Sequence, residues 1–160
     1  MDLSKNDVPE ESEVYKEDRT WKEQFLKTEG RLNRLRYLKR NLVLLLVWLL
    51  SNVLIALIFG DYMGNLSRTG TGLVSVISVV MLFPTYCLDV RRLHDMDKDS
   101  TIAKICFVLS LVAIFIADDD PFNPSSMGLI LSLVFCLIAL YMLFVPGTKG
   151  ANKYGADPLG

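Results

Sequence analysis

Four long apolar runs restrict the fold of this chain more than any other feature of its sequence. They cover residues 42–59, 73–90, 102–117 and 127–145. As α-helices, these runs would be roughly 24–28 Å long, close to the hydrocarbon thickness of about 30 Å in a bilayer. A soluble four-helix bundle is the alternative, but its helices would each need a polar face, and the run at 127–145 offers none. The sequence therefore predicts an all-α polytopic membrane protein with four transmembrane helices in a bundle.

Composition agrees with this interpretation. The chain has 160 residues, of which 51% are hydrophobic, and its mean hydropathy is +0.33. These values are typical of membrane proteins and lie outside those of ordinary soluble domains. We expect the four apolar runs, residues 41–145, to form one transmembrane domain.

The lysine and arginine residues predict the orientation of the helices. Sixteen of the seventeen lie in the N-terminal segment, in the central connection with its flank, or in the C-terminal tail. Only Arg68 lies in the other two connections. Because cytoplasmic loops of membrane proteins are enriched in Lys and Arg, we expect both termini and the central connection to be cytoplasmic.

The segments that flank the transmembrane domain differ in character. Residues 1–12 are polar and acidic, which is typical of a disordered tail. Residues 13–40 are predicted to form a cytoplasmic amphipathic and basic helical region, interrupted at Gly30, in which Trp21 and Phe25 share one side. This region either lies at the membrane surface or is a solvated helix that leans on the bundle. Residues 146–160 form a cytoplasmic C-terminal tail.

A few polar residues interrupt the apolar runs or lie at their ends. They are Asn52, Asp89 and Lys104, and Asp89 and Lys104 lie at matching ends of two runs, where an ion pair can form. Polar groups inside a membrane are candidates for function, so they raise a second hypothesis, a small oligomeric channel or transporter. Small residues that recur at three- or four-residue spacing in or beside all four runs also suggest close helix packing and a homo-oligomer.

Three polar segments are expected to meet on the cytoplasmic side. Their candidate cap or binding residues are Gly30, Arg31 and Arg34 before the first run, Arg91, Arg92, His94 and Asp95 in the central loop, and Asn152, Tyr154, Gly155 and Asp157 in the tail. In this order, between four apolar runs, the segments resemble the YhaH-like bacterial inner-membrane proteins, the DUF805 family. The resemblance covers residues 21–158. It implies a bacterial inner (plasma) membrane location and no established activity.

The residues themselves favour a structural cap over a catalytic site. His94 and Asp95 are adjacent, so their side chains would point apart on a helix, and adjacency does not make a general-base pair. No nucleophile with a partner base is recognisable, and the single histidine does not indicate a metal site. We therefore expect no catalytic residues, no metal and no cofactor. The acids and arginines are expected to form an ion-paired cap beneath the bundle, with the tail residues meeting Arg31, Arg91 or Arg92.

The leading functional hypothesis is a non-enzymatic scaffold or regulator. Its cytoplasmic cap would bind membrane lipid headgroups or a partner protein, because basic residues beside transmembrane helices attract anionic headgroups at about 1 kcal/mol each. The same residues do not indicate nucleic-acid binding, since membrane topology explains them first. A membrane enzyme acting on headgroups through His94 and Asp95 is the third hypothesis.

Overall fold

The computed structural model describes residues 18–61, 65–116 and 126–159. The helices are α1 (Trp21–Phe25), α2 (Arg34–Phe59), α3 (Arg68–Asp95), α4 (Thr101–Ile116) and α5 (Ser126–Phe144). In the described segments β-type pairing is limited to two isolated bridges, so the all-α prediction is confirmed. Each of the helices α2 to α5 contains all or nearly all of one apolar run, whereas the acidic segment at 1–12 lies outside the described residues.

Two helices are long and apolar enough to cross a membrane. They are α2 and α3, with 26 and 28 residues, while α4 and α5 are apolar but shorter. In the most apolar stretches of α2 and α3, only 11% and 17% of the residues are buried. The core helix of a soluble protein would bury most of its apolar residues. The exposed apolar surface therefore favours a membrane protein.

Side-chain caps explain where the first three helices begin. Thr20 and Glu23 form a capping box at the start of α1, Asn33 Oδ1 accepts from the Arg36 amide at 2.8 Å, and Ser67 Oγ accepts from the Gly70 amide at 3.2 Å. These oxygens satisfy amide groups that have no partner inside the helix. Helix α2 therefore starts at Arg34, eight residues before its apolar run.

The polar segments differ from expectation in two respects. Within the described part of the region 13–40, only 21–25 in α1 and 34–40 at the start of α2 are helical, and 26–33 between them are not. The central motif was expected to be a loop, but residues 91–95 continue α3, and the turn follows at Met96 and Asp97. The capping box and Asn33 account for the first difference, because they set the helix starts locally. Ion pairs made by the motif side chains account for the second.

Helix α3 organises the packing, because it contacts each of the other four helices. The buried apolar cluster lies at the end of the bundle where α3 and α5 finish and α2 and α4 begin. Its members are Phe25, Leu32, Tyr37, Leu44, Leu88, Val90, Leu93, Met96, Ala103 and Met142. Toward the other end of α2, large side chains are exposed, with Leu57 at 78%. The well-packed end of the bundle is therefore the end that carries the polar motifs.

Candidate functional site

Asp95 lies between two buried arginines. Its Oδ1 is 3.2 Å from Arg31 Nη2 and accepts from Arg31 Nε at 3.3 Å, while its Oδ2 accepts from Arg92 Nη1. The three side chains are 4%, 1% and 0% exposed respectively. We call this group the Asp95 triad. It joins the segment before α2 to the C-terminal end of α3, as the sequence analysis expected of an ion-paired cap.

Backbone carbonyls accept the remaining hydrogen bonds of the Asp95 triad. Arg31 donates to the carbonyls of Thr148 at 2.6 Å and Gly150 at 2.5 Å. Arg92 donates to the carbonyl of Met142 at 2.6 Å and to that of Val145. The last carbonyls of a helix have no partner within it and carry a partial negative charge. Arg92 therefore caps the C-terminus of α5, and Arg31 holds the tail beneath it.

A second group of the same composition surrounds Asp18. Its Oδ2 accepts from Arg40 Nη2 at 2.8 Å and from Arg91 Nη2 at 2.7 Å, and we call these residues the Asp18 triad. Arg91 and Arg40 also donate to the carbonyls of Glu23 and Gln24, both at 3.0 Å, at the end of α1. Burial opposes the charged form of Asp18, but hydrogen bonds from Arg91 and Arg40 outweigh it and hold the pKa of Asp18 below its ordinary value.

The two arginines of the central motif serve different triads. Arg91 joins Asp18, whereas Arg92 joins Asp95. Consecutive residues on an α-helix point about 100° apart, so adjacent arginines reach different neighbours. Sequence reasoning missed Asp18 and Arg40 as members of the site. The available signal was an acidic residue beside a capping box, in a segment otherwise rich in basic residues.

Gly147 allows the tail to pass close to the Asp95 triad. A Cβ added at this position would overlap the carboxylate of Asp95, which two arginines hold in place. Gly150 has φ +74°, a conformation that other residues rarely adopt. In this conformation its carbonyl accepts from Arg31. At both of these glycines, the path of the tail depends on the absence of a side chain.

Of the tail residues, Asn152 and Tyr154 contact His94 of α3 and not an arginine, whereas the carbonyl of Gly155 accepts from Arg31 at 3.4 Å. Asn152 Nδ2 donates to the carbonyl of His94 at 2.9 Å, and Tyr154 stacks on the His94 ring with the centroids 3.8 Å apart and the planes 7° from parallel. Asp157 accepts from the amides of Gly150 and Leu159, both at 2.9 Å. Burial opposes the charged form of Asp157, but these two amides outweigh it and lower the pKa of the carboxyl. The tail therefore folds on itself and rests against His94.

Asp89 has a different partner from the one that the sequence suggested. Tyr37 Oη donates to Asp89 Oδ1 at 2.9 Å, whereas Lys104 is exposed and forms no ion pair with Asp89. Asn52 donates to the carbonyl of Trp48 at 2.7 Å, within its own helix. Arg34 is also exposed and takes no part in either triad. The polar residues of the apolar runs, Asn52, Asp89 and Lys104, therefore do not bond one another and take no part in either triad.

The chemistry of the cap follows from these contacts. Each triad contains two arginines and one carboxylate, and helix-terminal or tail carbonyls accept further hydrogen bonds from the arginines. His94 and Asp95 point to different partners and do not form an acid–base pair. In the ranges that the structure describes, no three His, Cys, Asp or Glu side chains are grouped so as to hold a metal. The two triads are ion-pair groups that join separate segments of the chain at one end of the bundle.

Comparisons with known proteins agree with the motifs. Searches among curated proteins and among solved structures found no match. The family model described as protein of unknown function (DUF805) matches residues 25–156. That range includes Arg31, Asp95 and the other residues of the cap except Asp18 and Asp157. On this match, the chain belongs to the DUF805 family.

Proposed function

We propose that this chain is a four-span protein of the bacterial inner membrane, with both termini in the cytoplasm. Support comes from α4 and α5, which are apolar like α2 and α3, although shorter. Their large side chains are exposed, including Ile105 on α4 and Leu133 on α5. Large exposed apolar surfaces mark sites of contact with a membrane or another protein. All four helices are then in contact with lipid.

The distribution of positive charge supports this orientation. Arg68 begins α3 and Asp95 ends it, so about 40 Å of helix separates them.

Single cysteines at Lys98 and Lys153, introduced into a variant without the native cysteines, should both react with an impermeant thiol reagent only from the cytoplasmic side. A cysteine at Arg68 should react only from the outside. If Lys98 and Lys153 label from opposite sides, the four-span arrangement is wrong.

We further propose that the protein is a non-enzymatic scaffold or regulator whose polar end lies against anionic lipid headgroups. The observation that carries this proposal is that the arginines of both triads are engaged within the chain. Each of them bonds a carboxylate and at least one backbone carbonyl of the same chain. The cations left for a partner are exposed, and Arg34 and Lys39 on the first turns of α2 lie next to the apolar surface.

Neutralising those two exposed cations tests the proposal. Each basic residue near an anionic membrane surface contributes about 1 kcal/mol, and the attraction weakens as salt screens it. The Arg34→Gln/Lys39→Gln protein should retain less phosphatidylglycerol on purification in detergent, measured by native mass spectrometry. Arg68→Gln, at the far end of α3, is the matched control. Equal retention by the double variant and the control, or retention that depends on a copurifying protein, would remove the headgroup proposal.

A further inference from the structure

An open cavity of about 380 Å³ lies beside the cap and is used by neither triad. Four parts of the chain line it, namely Thr28, Glu29 and Gly30 before α2, Tyr86, Val90 and His94 on α3, Ser100 before α4, and Tyr154 in the tail. The three α3 residues are spaced four apart and so share one face of the helix. The cavity therefore extends along α3 for about two turns, from the polar cap toward the apolar part of the helix.

The two ends of the cavity differ in polarity. Toward the apolar part of α3, Val90 is 3% exposed, and the ring of Tyr86 packs on Phe107 of α4 with the centroids 5.4 Å apart. Toward the cap, the lining residues include Thr28, Ser100 and His94, whose side chains can form hydrogen bonds. A site that is apolar at one end and rich in hydrogen-bonding groups at the other suits an amphipathic ligand.

His94 is fixed in position and retains hydrogen-bonding capacity. Its ring stacks on Tyr154, and Asn152 holds its backbone carbonyl. Its Nδ1 is buried and lies against the Gly30 backbone, which is its hydrogen-bond partner, although the geometry is not ideal. Within the described segments no hydrogen bond occupies the other ring nitrogen, Nε2, which is not among the buried unsatisfied atoms. Nε2 is therefore the ring nitrogen that remains for a ligand.

The surroundings of the cavity favour an anionic group at its polar end. Lys104 follows Ser100 by one helical turn, and Lys153 Nζ lies 5.0 Å from the centre of the Tyr154 ring. The start of α4, at Ser100, also carries a partial positive charge. Glu29 is exposed at the edge of the cavity and is the acidic residue of the lining. The carboxylate of Glu29 repels a singly charged phosphodiester less than it repels a doubly charged phosphate.

We propose that this cavity binds the phosphodiester of a phospholipid, with His94 and the hydroxyls of Thr28 and Ser100 as donors and the acyl chains leaving past Val90 and Tyr86. The proposal rests on the membrane location given under Proposed function, but it concerns a discrete site and not the general attraction of lipid to exposed cations. His94 has a binding role here and not a catalytic one.

The test is a titration of the detergent-purified full chain with three probes, using lipid-dependent shifts in melting temperature. The probes are dioctanoyl phosphatidylglycerol, dioctanoylglycerol, which lacks the phosphate, and inorganic phosphate. We expect saturable binding of the phospholipid that exceeds that of either other probe. Equal binding of dioctanoylglycerol would refute recognition of the phosphate, and equal binding of inorganic phosphate would refute a lipid ligand.

Two substitutions with opposite expected effects test the residues. His94→Phe keeps a ring to stack on Tyr154 but removes the donor, and the loss of one hydrogen bond to a charged group should weaken binding about tenfold. Glu29→Gln removes a like charge and should strengthen binding severalfold. If His94→Phe does not fold, Ser100→Ala provides the loss-of-donor variant instead. If neither the loss-of-donor variant nor Glu29→Gln changes the affinity for the short-chain phospholipid, the proposal is overturned.

The Arg34→Gln/Lys39→Gln protein separates this inference from the broader proposal. It should bind the short-chain phospholipid in the cavity as the unmodified protein does, while it retains less lipid on purification. If the Arg34→Gln/Lys39→Gln protein retains less lipid but His94→Phe binds the short-chain phospholipid as the unmodified protein does, the cavity proposal alone would be refuted. Labelling of Lys98 and Lys153 from opposite sides would refute the four-span arrangement itself.

Discussion

Replacing Asp95 with asparagine removes the only carboxylate of the Asp95 triad and leaves Arg31 and Arg92 buried without a counter-charge. The two arginine side chains are 1% and 0% exposed, so water cannot replace the carboxylate. Removing one partner of a buried ion pair typically costs about 3–5 kcal/mol, because the other charge remains uncompensated. Two guanidiniums lose their partner here, so we expect a loss of about 4 kcal/mol in the free energy of unfolding.

Thermal melting of the detergent-purified protein measures this loss. For a chain of this size, 1 kcal/mol corresponds to about 2–4 °C, so Asp95→Asn should lower the melting temperature by roughly 8–16 °C. Asp97→Asn is the matched control, because Asp97 is 46% exposed and lies 3.9 Å from the exposed Lys153. Surface pairs contribute about 0–1 kcal/mol, and asparagine tolerates the φ of 54° at this position.

A double-mutant cycle between Arg31 and Asp95 identifies the cause of the loss. If the carboxylate acts through Arg31, the Arg31→Met/Asp95→Asn protein should lose less than the sum of the single losses, by about 0.5–3 kcal/mol. Strictly additive losses, or an Asp95→Asn protein as stable as Asp97→Asn, would refute the reasoning that the triad is a coupled, buried unit.

Three further predictions follow from individual contacts. Gly147→Ala should destabilise the protein by about 1–3 kcal/mol through overlap with the triad carboxylate, whereas Gly72→Ala, on an open helix surface, should be neutral or slightly stabilising in the same melting assay. The pKa of Asp18 is lowered in the folded protein, so its carboxylate stabilises the fold fully above about pH 4, and this stabilisation is lost as the pH falls through the folded-state pKa. Asp18→Asn should therefore have a lower melting temperature than the unmodified protein at pH 7, and its melting temperature should fall less on acidification. Tyr37→Phe should cost about 1–3 kcal/mol in unfolding free energy by removing the hydrogen bond to Asp89; unchanged melting would contradict that role.

Much of the helical architecture could be predicted from sequence because helix formation in apolar runs is a local property. The runs at 42–59 and 73–90 are long, lack helix-breaking clusters and carry few charges, and they form the bodies of α2 and α3. The extension of α3 through the central motif was not predicted. Charged residues after an apolar run indicate a loop when their partners are unknown, and here buried ion pairs keep them helical.

The cap could be predicted in kind but not in its pairings. Three motifs rich in arginine, aspartate and glycine at the ends of apolar runs predict an ion-paired structure on one side of the bundle. The partners themselves are distant in sequence, since the residue numbers of Arg31 and Asp95 differ by 64 and those of Asp18 and Arg91 differ by 73. Their choice depends on how α1, α2 and α3 pack.

By itself, the sequence determined that this chain forms apolar helices with its polar motifs gathered at helix ends, because hydropathy and helix periodicity depend on neighbouring residues. The tertiary structure decided that Arg91 and Arg92 serve different carboxylates, that Asp89 bonds Tyr37, and that His94 stacks on Tyr154 beside a cavity. The physical reason is that a buried charge is stable only where packing brings a partner within hydrogen-bond distance, and packing is a property of the whole bundle.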